Sequence, residues 1–219
     1  MKNIFTILFL FFGFILSAQD QAMTQDPKAD PYLSNISKLF KTDSPYQVEF
    51  KYEIYSAMED AKVSDYGTII IHEDKYKLKT EDSEVYFNGQ YLWSYNRMNE
   101  EVYQSEPEDN SEDQIFSDPF RLLANYKDFF KYQLMGSKNI NGLKLIEIDL
   151  YPVDLKTPYS IIKLLTTANG ESLYSINVKQ KNGIDLTIYI TDIIQNIKIH
   201  DSVFSWDEAS FPNVLLIEM

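Results

Sequence analysis

The spacing of apolar residues changes period along the chain, and each change marks an element. Leu33, Ile36, Leu39 and Phe40 recur at helical spacing, with Pro27 or Pro31 suited to a first turn, which predicts a helix over residues 26–41 with one apolar stripe to bury. Asp43-Ser44-Pro45 breaks it. Beyond Pro45 the period is two: Val48, Phe50, Tyr52 and Ile54 alternate with Gln47, Glu49, Lys51 and Glu53, a long strand with an inner and an outer face. After a polar connection at residues 58–63, strands are expected at 66–71, 76–79 and 101–104. Tight turns separate them, so they form an antiparallel meander, because parallel neighbours need crossovers of about a dozen residues.

Within the meander, residues 82–96 set β-branched and aromatic runs on either side of Asn88-Gly89, the dipeptide suited to a two-residue type I′ turn. Such a loop places Phe87 opposite Gln90, Tyr86 opposite Tyr91, Val85 opposite Leu92 and Glu84 opposite Trp93. Val85, Phe87 and Leu92 then share one face, and Tyr86, Tyr91, Trp93 and Tyr95 the other. Neither face is polar, so this hairpin must be covered on both sides.

A second helix is expected over residues 118–130: Asp118 can cap it, Pro119 suits its first position, and Phe120, Leu123, Tyr126 or Lys127, and Phe130 share a face. Strands return at 143–150, 159–167, 172–179, 184–191 and 214–217, punctuated by Asn141-Gly142, Asn169-Gly170 and Asn182-Gly183. The fold class is mainly β, about eleven strands with two helices. A curled sheet capped by helices encloses a cavity lined by apolar strand residues. A packed sandwich has the same periodicity.

Composition narrows the setting. Lys2, the apolar run from Ile4 to Leu16 and Leu16-Ser17-Ala18 read as a secretory signal over residues 1–18, with a signal anchor as the alternative, leaving one domain over residues 19–219. A periplasmic location follows. The chain has no cysteine, hence neither disulfides nor a lipid anchor on an N-terminal Cys. A net charge of −13 argues against nucleic acid and against an anionic bilayer, and favours a monomer.

Candidate chemistry is sparse. His72 and His200 are the two histidines and have no third ligand at metal spacing, and no Gly-rich phosphate loop or Gly-x-Ser-x-Gly elbow occurs, so neither metal, cofactor nor catalytic residue is assigned. The 33 carboxylates leave a glycosidase-like pair as an alternative from another class. Asp109, Asn110, Glu112 and Asp113 carry oxygens of the kind calcium takes but lack the EF-hand alternation and its Gly, so the acidic stretch 106–113 reads as a solvated loop.

Residues 87–96 (Phe-Asn-Gly-Gln-Tyr-Leu-Trp-Ser-Tyr-Asn) with Glu101-Val102, the Asp118-Pro119-Phe120-Arg121-Leu122-Leu123-Ala124-Asn125 segment, and Phe204-Ser205-Trp206 with Pro212 and Val214 resemble the LolA-like periplasmic carriers of outer-membrane lipoproteins. The resemblance implies an unclosed antiparallel half-barrel under a helical lid, whose cavity shields lipoprotein acyl chains. Its partners would be acylated lipoproteins, an inner-membrane lipoprotein-releasing transporter and, as candidate recipient, an outer-membrane acceptor. It places Phe50, Tyr52, Ile54, Ile69, Ile71, Leu78, Val85, Phe87 and Leu92 in the cavity and Phe120, Arg121, Leu122 and Leu123 on the lid. One departure stands out: where many members carry an Arg-Pro pair that latches the lid, this chain has Ile71-His72-Glu73-Asp74, so either Arg121 or apolar contact alone must hold it. The alternative function is a lipid- or lipoprotein-sensing module on the same scaffold, with the acidic stretch contacting a regulatory partner.

Overall fold

The computed structural model describes residues 25–106 and 119–219; the leader, Asp109, Asn110, Glu112, Asp113 and the capping residue Asp118 lie outside the described residues. Helix α1 spans Asp30–Phe40, starting later than its periodicity suggested, with Pro31 in its first turn. The strands are β1 (Tyr46–Ser56), β2 (Ala61–His72), β3 (Lys75–Lys79), β4 (Ser83–Phe87), β5 (Leu92–Asn96), β6 (Glu101–Ser105), β7 (Phe130–Ile140), β8 (Leu143–Pro152), β9 (Tyr159–Thr167), β10 (Leu173–Gln180), β11 (Ile184–Gln195) and β12 (Leu215–Glu218). They form one open twelve-stranded sheet in the order β12-β6-β5-β4-β3-β2-β1-β11-β10-β9-β8-β7. Every pairing is antiparallel except that of β12 with β6.

Four local expectations are corrected. The helix expected over residues 118–130 is two short helices, α2 (Pro119–Ala124) and α3 (Tyr126–Phe129), and Phe130 already pairs with Pro152. β7 itself escaped periodicity, because Tyr132 and Leu134 alternate only until a bulge at Gly136, whose φ of 121° flips the pattern before a polar end. Residues 61–63 are strand, since β1 and β2 pair out to Ser56 and Ala61.

The fourth correction concerns the central hairpin. Phe87 pairs with Leu92, Tyr86 with Trp93 and Val85 with Ser94, so the loop has four residues. Gly89 has φ 95° and Asn88 is not in the positive-φ region that type I′ requires there; instead its side-chain oxygen accepts from the N–H groups of Gln90 and Tyr91 at 3.0 and 2.8 Å. The slip is two residues, which preserves side-chain parity. Type I′ geometry does occur at Asn141-Gly142, where both φ values are positive and Ile140 faces Leu143.

The sheet curls, because inner-face residues from β7 round to β5 belong to a single core with α1 and α2. Leu33, Ile36 and Phe40 of α1 are buried in it, as are Val48, Ile69, Ile71, Ile148, Leu164 and Ile176 from the strands. A second, smaller core forms on the outer face of β4–β6. The sheet ends on one side in the short strand β12, which lies along β6, and part of the other edge is covered: beside β7 the Asp26 N–H donates to the Tyr132 carbonyl at 3.0 Å while its carboxylate accepts from the Leu134 N–H at 3.2 Å.

Candidate functional site: an apolar inner face plugged by helices

Strand register decides which side chains share the inner face. Phe50 pairs with Gly67, Tyr52 with Asp65, Ile54 with Val63, and Val48 with Ile69. From there the parity passes to Leu78, opposite Ile69, then to Val85 and on through Phe87 to Leu92. All nine candidate cavity residues (Phe50, Tyr52, Ile54, Ile69, Ile71, Leu78, Val85, Phe87 and Leu92) therefore stand on one side of the sheet, the side that meets the helices. Gly67 is required by this packing: a Cβ there would lie 2.5 Å from Cζ of Phe50, whose ring covers it.

The helices fill the space. Phe120 of α2 and Phe40 of α1 meet at a centroid distance of 5.0 Å, and both are buried along with Leu123; Leu122 packs at the margin. Arg121 is on the exposed side. The Ser37 hydroxyl of α1 donates to the Ala124 carbonyl at 2.6 Å, satisfying an orphan carbonyl at the end of α2.

α1 is moored at several points. Asp30 accepts from the Tyr132 hydroxyl at 2.6 Å and the Tyr126 hydroxyl at 3.4 Å, Asn35 donates to the Asn169 carbonyl, and Gln195 donates to the Leu39 carbonyl. Burial, with Asp30 nearby, pushes the Tyr126 phenol up to about 12.

Cover over the inner face is uneven. The cross-strand row Ile162, Val178, Leu186, Ile54, Val63 runs from buried at β9 and β10 to exposed at β1 and β2, where the helices no longer reach. Asp65 stands at this open end and is used locally, accepting from the backbone N–H groups of Tyr66 and Glu81. The buried carboxylates face the other way. Asp149 takes the Lys163 ammonium at 2.9 Å; Glu84 takes the Tyr86 hydroxyl and Arg97, with Lys77 at 3.4 Å. Burial pushes Glu84 up, but the Tyr86 hydrogen bond and the two cations outweigh it and hold the carboxyl below its ordinary range.

Tyr86, Trp93 and Tyr95 are outside, under the segment that follows β11. Trp206 stacks on Phe211 at 4.4 Å and meets Tyr95 at 5.1 Å and Tyr86 at 5.8 Å. Lys75 bonds Asp201 at 2.7 Å, and the His72 ring lies 6.5 Å from that of Phe204. His72, at the position where the resemblance implied a latch, thus faces this clasp. Their large aromatic side chains alone could have flagged Trp206 and Phe211, but no periodicity in so irregular a segment says which face they cover.

Residues 45–207 match the family model for outer membrane lipoprotein carrier protein LolA. The chain belongs to the LolA family. Among solved structures, an uncharacterized conserved protein from Thermus thermophilus is similar with a TM-score of 0.51 at 8% identity, over 88% of this chain and 99% of that one. A DUF1329 family protein from Desulfovibrio piger gives 0.49 at 12% identity over 86% and 100%. A LolA superfamily protein from Nitrosomonas europaea gives 0.43 at 11% identity over 82% and 98%. No curated protein matches. The family's unclosed sheet and few helices are the architecture described above. Among the described residues, no helix is long and apolar enough to cross a membrane and no cluster of His, Cys, Asp or Glu is arranged to hold a metal.

Proposed function

We propose that this LolA-family protein is a periplasmic carrier that holds lipoprotein acyl chains against its inner face and passes them from the inner-membrane releasing transporter towards the outer membrane. The observation that carries this reading is the continuous apolar inner face, from β7 round to β5, closed by helical side chains rather than by a second sheet. Such a plug can be exchanged for a ligand of like polarity.

The magnitudes favour exchange. Phe120 and Leu123 together contribute about 3–6 kcal/mol by burial, at roughly 1.5–3 kcal/mol each. A single acyl chain of about fifteen methylenes gains about 12 kcal/mol at 0.8 kcal/mol per methylene, so it can displace α2 and still bind. Adding the three α1 anchors raises the displaced total to about 8–15 kcal/mol, which makes moving both helices close to balanced. Transfer of this kind requires no covalent step; release needs only an acceptor with higher affinity.

The test is mass spectrometry of the protein purified from its native compartment, with and without organic extraction. Acylated peptide or released fatty-acyl mass is expected. Failure to bind both lipoprotein and a fluorescent fatty acid would sink the carrier reading.

A further inference from the structure

An Asn-Gly pair carries a reaction of its own, because a glycine nitrogen, with no Cβ beside it, can reach the side-chain carbonyl carbon of the asparagine before it. The chain has this pair in four turns, and the structure separates them by what holds the two reacting groups. The Asn88 oxygen is occupied by the Gln90 and Tyr91 N–H groups. The Asn169 oxygen accepts from the Thr167 hydroxyl and the Glu171 N–H, its amide donates to the Glu171 carboxylate, and the Gly170 N–H donates to the Thr167 carbonyl at 2.9 Å. The Asn182 oxygen accepts from the Ile184 N–H at 3.1 Å, and the Gly183 N–H donates to the Gln180 carbonyl at 3.3 Å. At Asn141-Gly142 neither the carboxamide nor the glycine N–H has a hydrogen-bond partner among the described residues.

Space and charge single out the same turn. Asn141 and Gly142 are both exposed, and a carbon added at Gly142 would touch nothing within 4 Å. At Gly89 it would lie 3.2 Å from the Asp74 carboxylate, and at Gly170 3.0 Å from Tyr32. Residues 134–146 hold Lys138 and Lys144 and no acidic residue. Lys138 reaches across to Glu147 at 2.6 Å, and Lys144 makes no ion pair among the described residues. Nearby cations favour the deprotonated glycine nitrogen and the oxyanion its attack creates; Asp74 beside Gly89 and Glu171 on Asn169 oppose both.

We propose that Asn141 is a site of spontaneous covalent modification, deamidating through the Gly142 nitrogen, and that the isoaspartate formed there frees the outer half of β7. The Gly142 nitrogen gives up its proton and bonds to Cγ of Asn141; the bond from Cγ to the side-chain nitrogen breaks, and ammonia leaves with that proton. Water then opens the cyclic imide at either carbonyl, giving aspartate or isoaspartate. The sum is one water consumed and one ammonia released, with no redox change and one negative charge added. Aspartate tolerates the positive φ of 52° at this position. Isoaspartate instead routes the main chain through the side chain and adds a carbon to a two-residue loop that sets Ile140 opposite Leu143. β7 is the last strand of the sheet, so beyond the Gly136 bulge residues 137–140 pair with β8 alone and have nothing else to hold them in register.

The test is to hold the full chain in mildly alkaline buffer and follow each Asn-Gly pair by peptide mapping, with fragmentation that tells aspartate from isoaspartate. In the folded chain Asn141 should convert about tenfold or more faster than Asn88, Asn169 or Asn182, where two or more hydrogen bonds must open before attack. In urea all four should convert at similar rates. Another asparagine converting first in the folded chain, an Asn141 that stays intact while the urea sample reacts, or the same ranking in urea overturns the assignment. Hydrogen exchange reads the consequence: the isoaspartyl form should exchange faster over residues 137–140, while Asn141→Asp, with the same charge and an ordinary main chain, exchanges like the wild type. Equal exchange in the isoaspartyl form and in Asn141→Asp overturns the release of β7.

Discussion

Replacing Phe120 by Ala separates a lid from an ordinary piece of core. Phe120 is fully buried against Phe40, and such a truncation in a packed interior costs about 3–5 kcal/mol. In a one-piece core the whole amount would appear as lost global stability. α2 is a short helix moored to α1 through Ser37 and packed on a sheet whose ladder does not include it, so the loss should instead weaken the closed position of α2. At 1.4 kcal/mol per tenfold, the open population rises by about two to three and a half orders of magnitude. A ligand that must first displace α2 binds with an apparent affinity reduced by the fraction of open molecules, so F120A should bind a fluorescent fatty acid more tightly, up to the point where the lid is mostly open. Leu164→Ala, in β9 and equally buried, is the contrast: global stability falls by about 2–5 kcal/mol with no gain in affinity. The measurements are fatty-acid titration, denaturant unfolding and hydrogen exchange in α2. An F120A protein that loses the full 3–5 kcal/mol of global stability, with affinity unchanged or weaker, would refute the lid argument.

Other expectations concern the frame that holds the site. Gly67→Ala should cost about 1–3 kcal/mol in thermal unfolding, because the new methyl meets the Phe50 ring, and Phe50→Leu in the same chain should recover much of it. Trp206→Ala should cost about 2–4 kcal/mol and speed hydrogen exchange in β6, since the ring joins Phe211 to Tyr86 and Tyr95; unchanged exchange there would mean that the clasp does not hold β12 in place. Glu53 is held down to about 2, chiefly by hydrogen bonds from Lys51 and Lys62. A depressed carboxyl contributes stability that is present above its ordinary 4.5 and lost as pH falls towards 2, so in a Tm-versus-pH series E53Q should lie below the wild-type chain near neutrality, show a flatter acid limb and converge with it as pH falls towards 2.

Faces were more legible in the sequence than registers. The hairpin loop was read two residues too short because Asn88 uses its side chain as an acceptor instead of taking positive φ, yet Val85, Phe87 and Leu92 kept their shared face since a two-residue slip preserves parity. β7 was illegible for the opposite reason: its bulge at Gly136 breaks the period, and its later residues are exposed and polar. The helix over residues 118–130 failed at Asn125, where strand pairing of Phe130 with Pro152 overrode a continuous apolar stripe. What the stripe did carry was burial: Phe120, Leu123, Tyr126 and Phe130 are all inside. The covering of the aromatic outer face depends on residues 204–216, which have no period to read.

An open sheet has two rows of unpaired peptide groups, and helices that parted, as the proposed function requires, would expose apolar strand as well; together these are the ingredients of amyloid-like stacking. In this chain the two hazards are kept apart. The peptide edge beside β6 is taken by β12, and part of the one beside β7 by the backbone and carboxylate of Asp26, neither of which belongs to α2. Helix opening of the kind the carrier reading requires would therefore leave β6 and the Asp26-covered part of β7 protected, and shortening the chain to before Leu215, or replacing Asp26, is expected to raise the protein's tendency to form fibres.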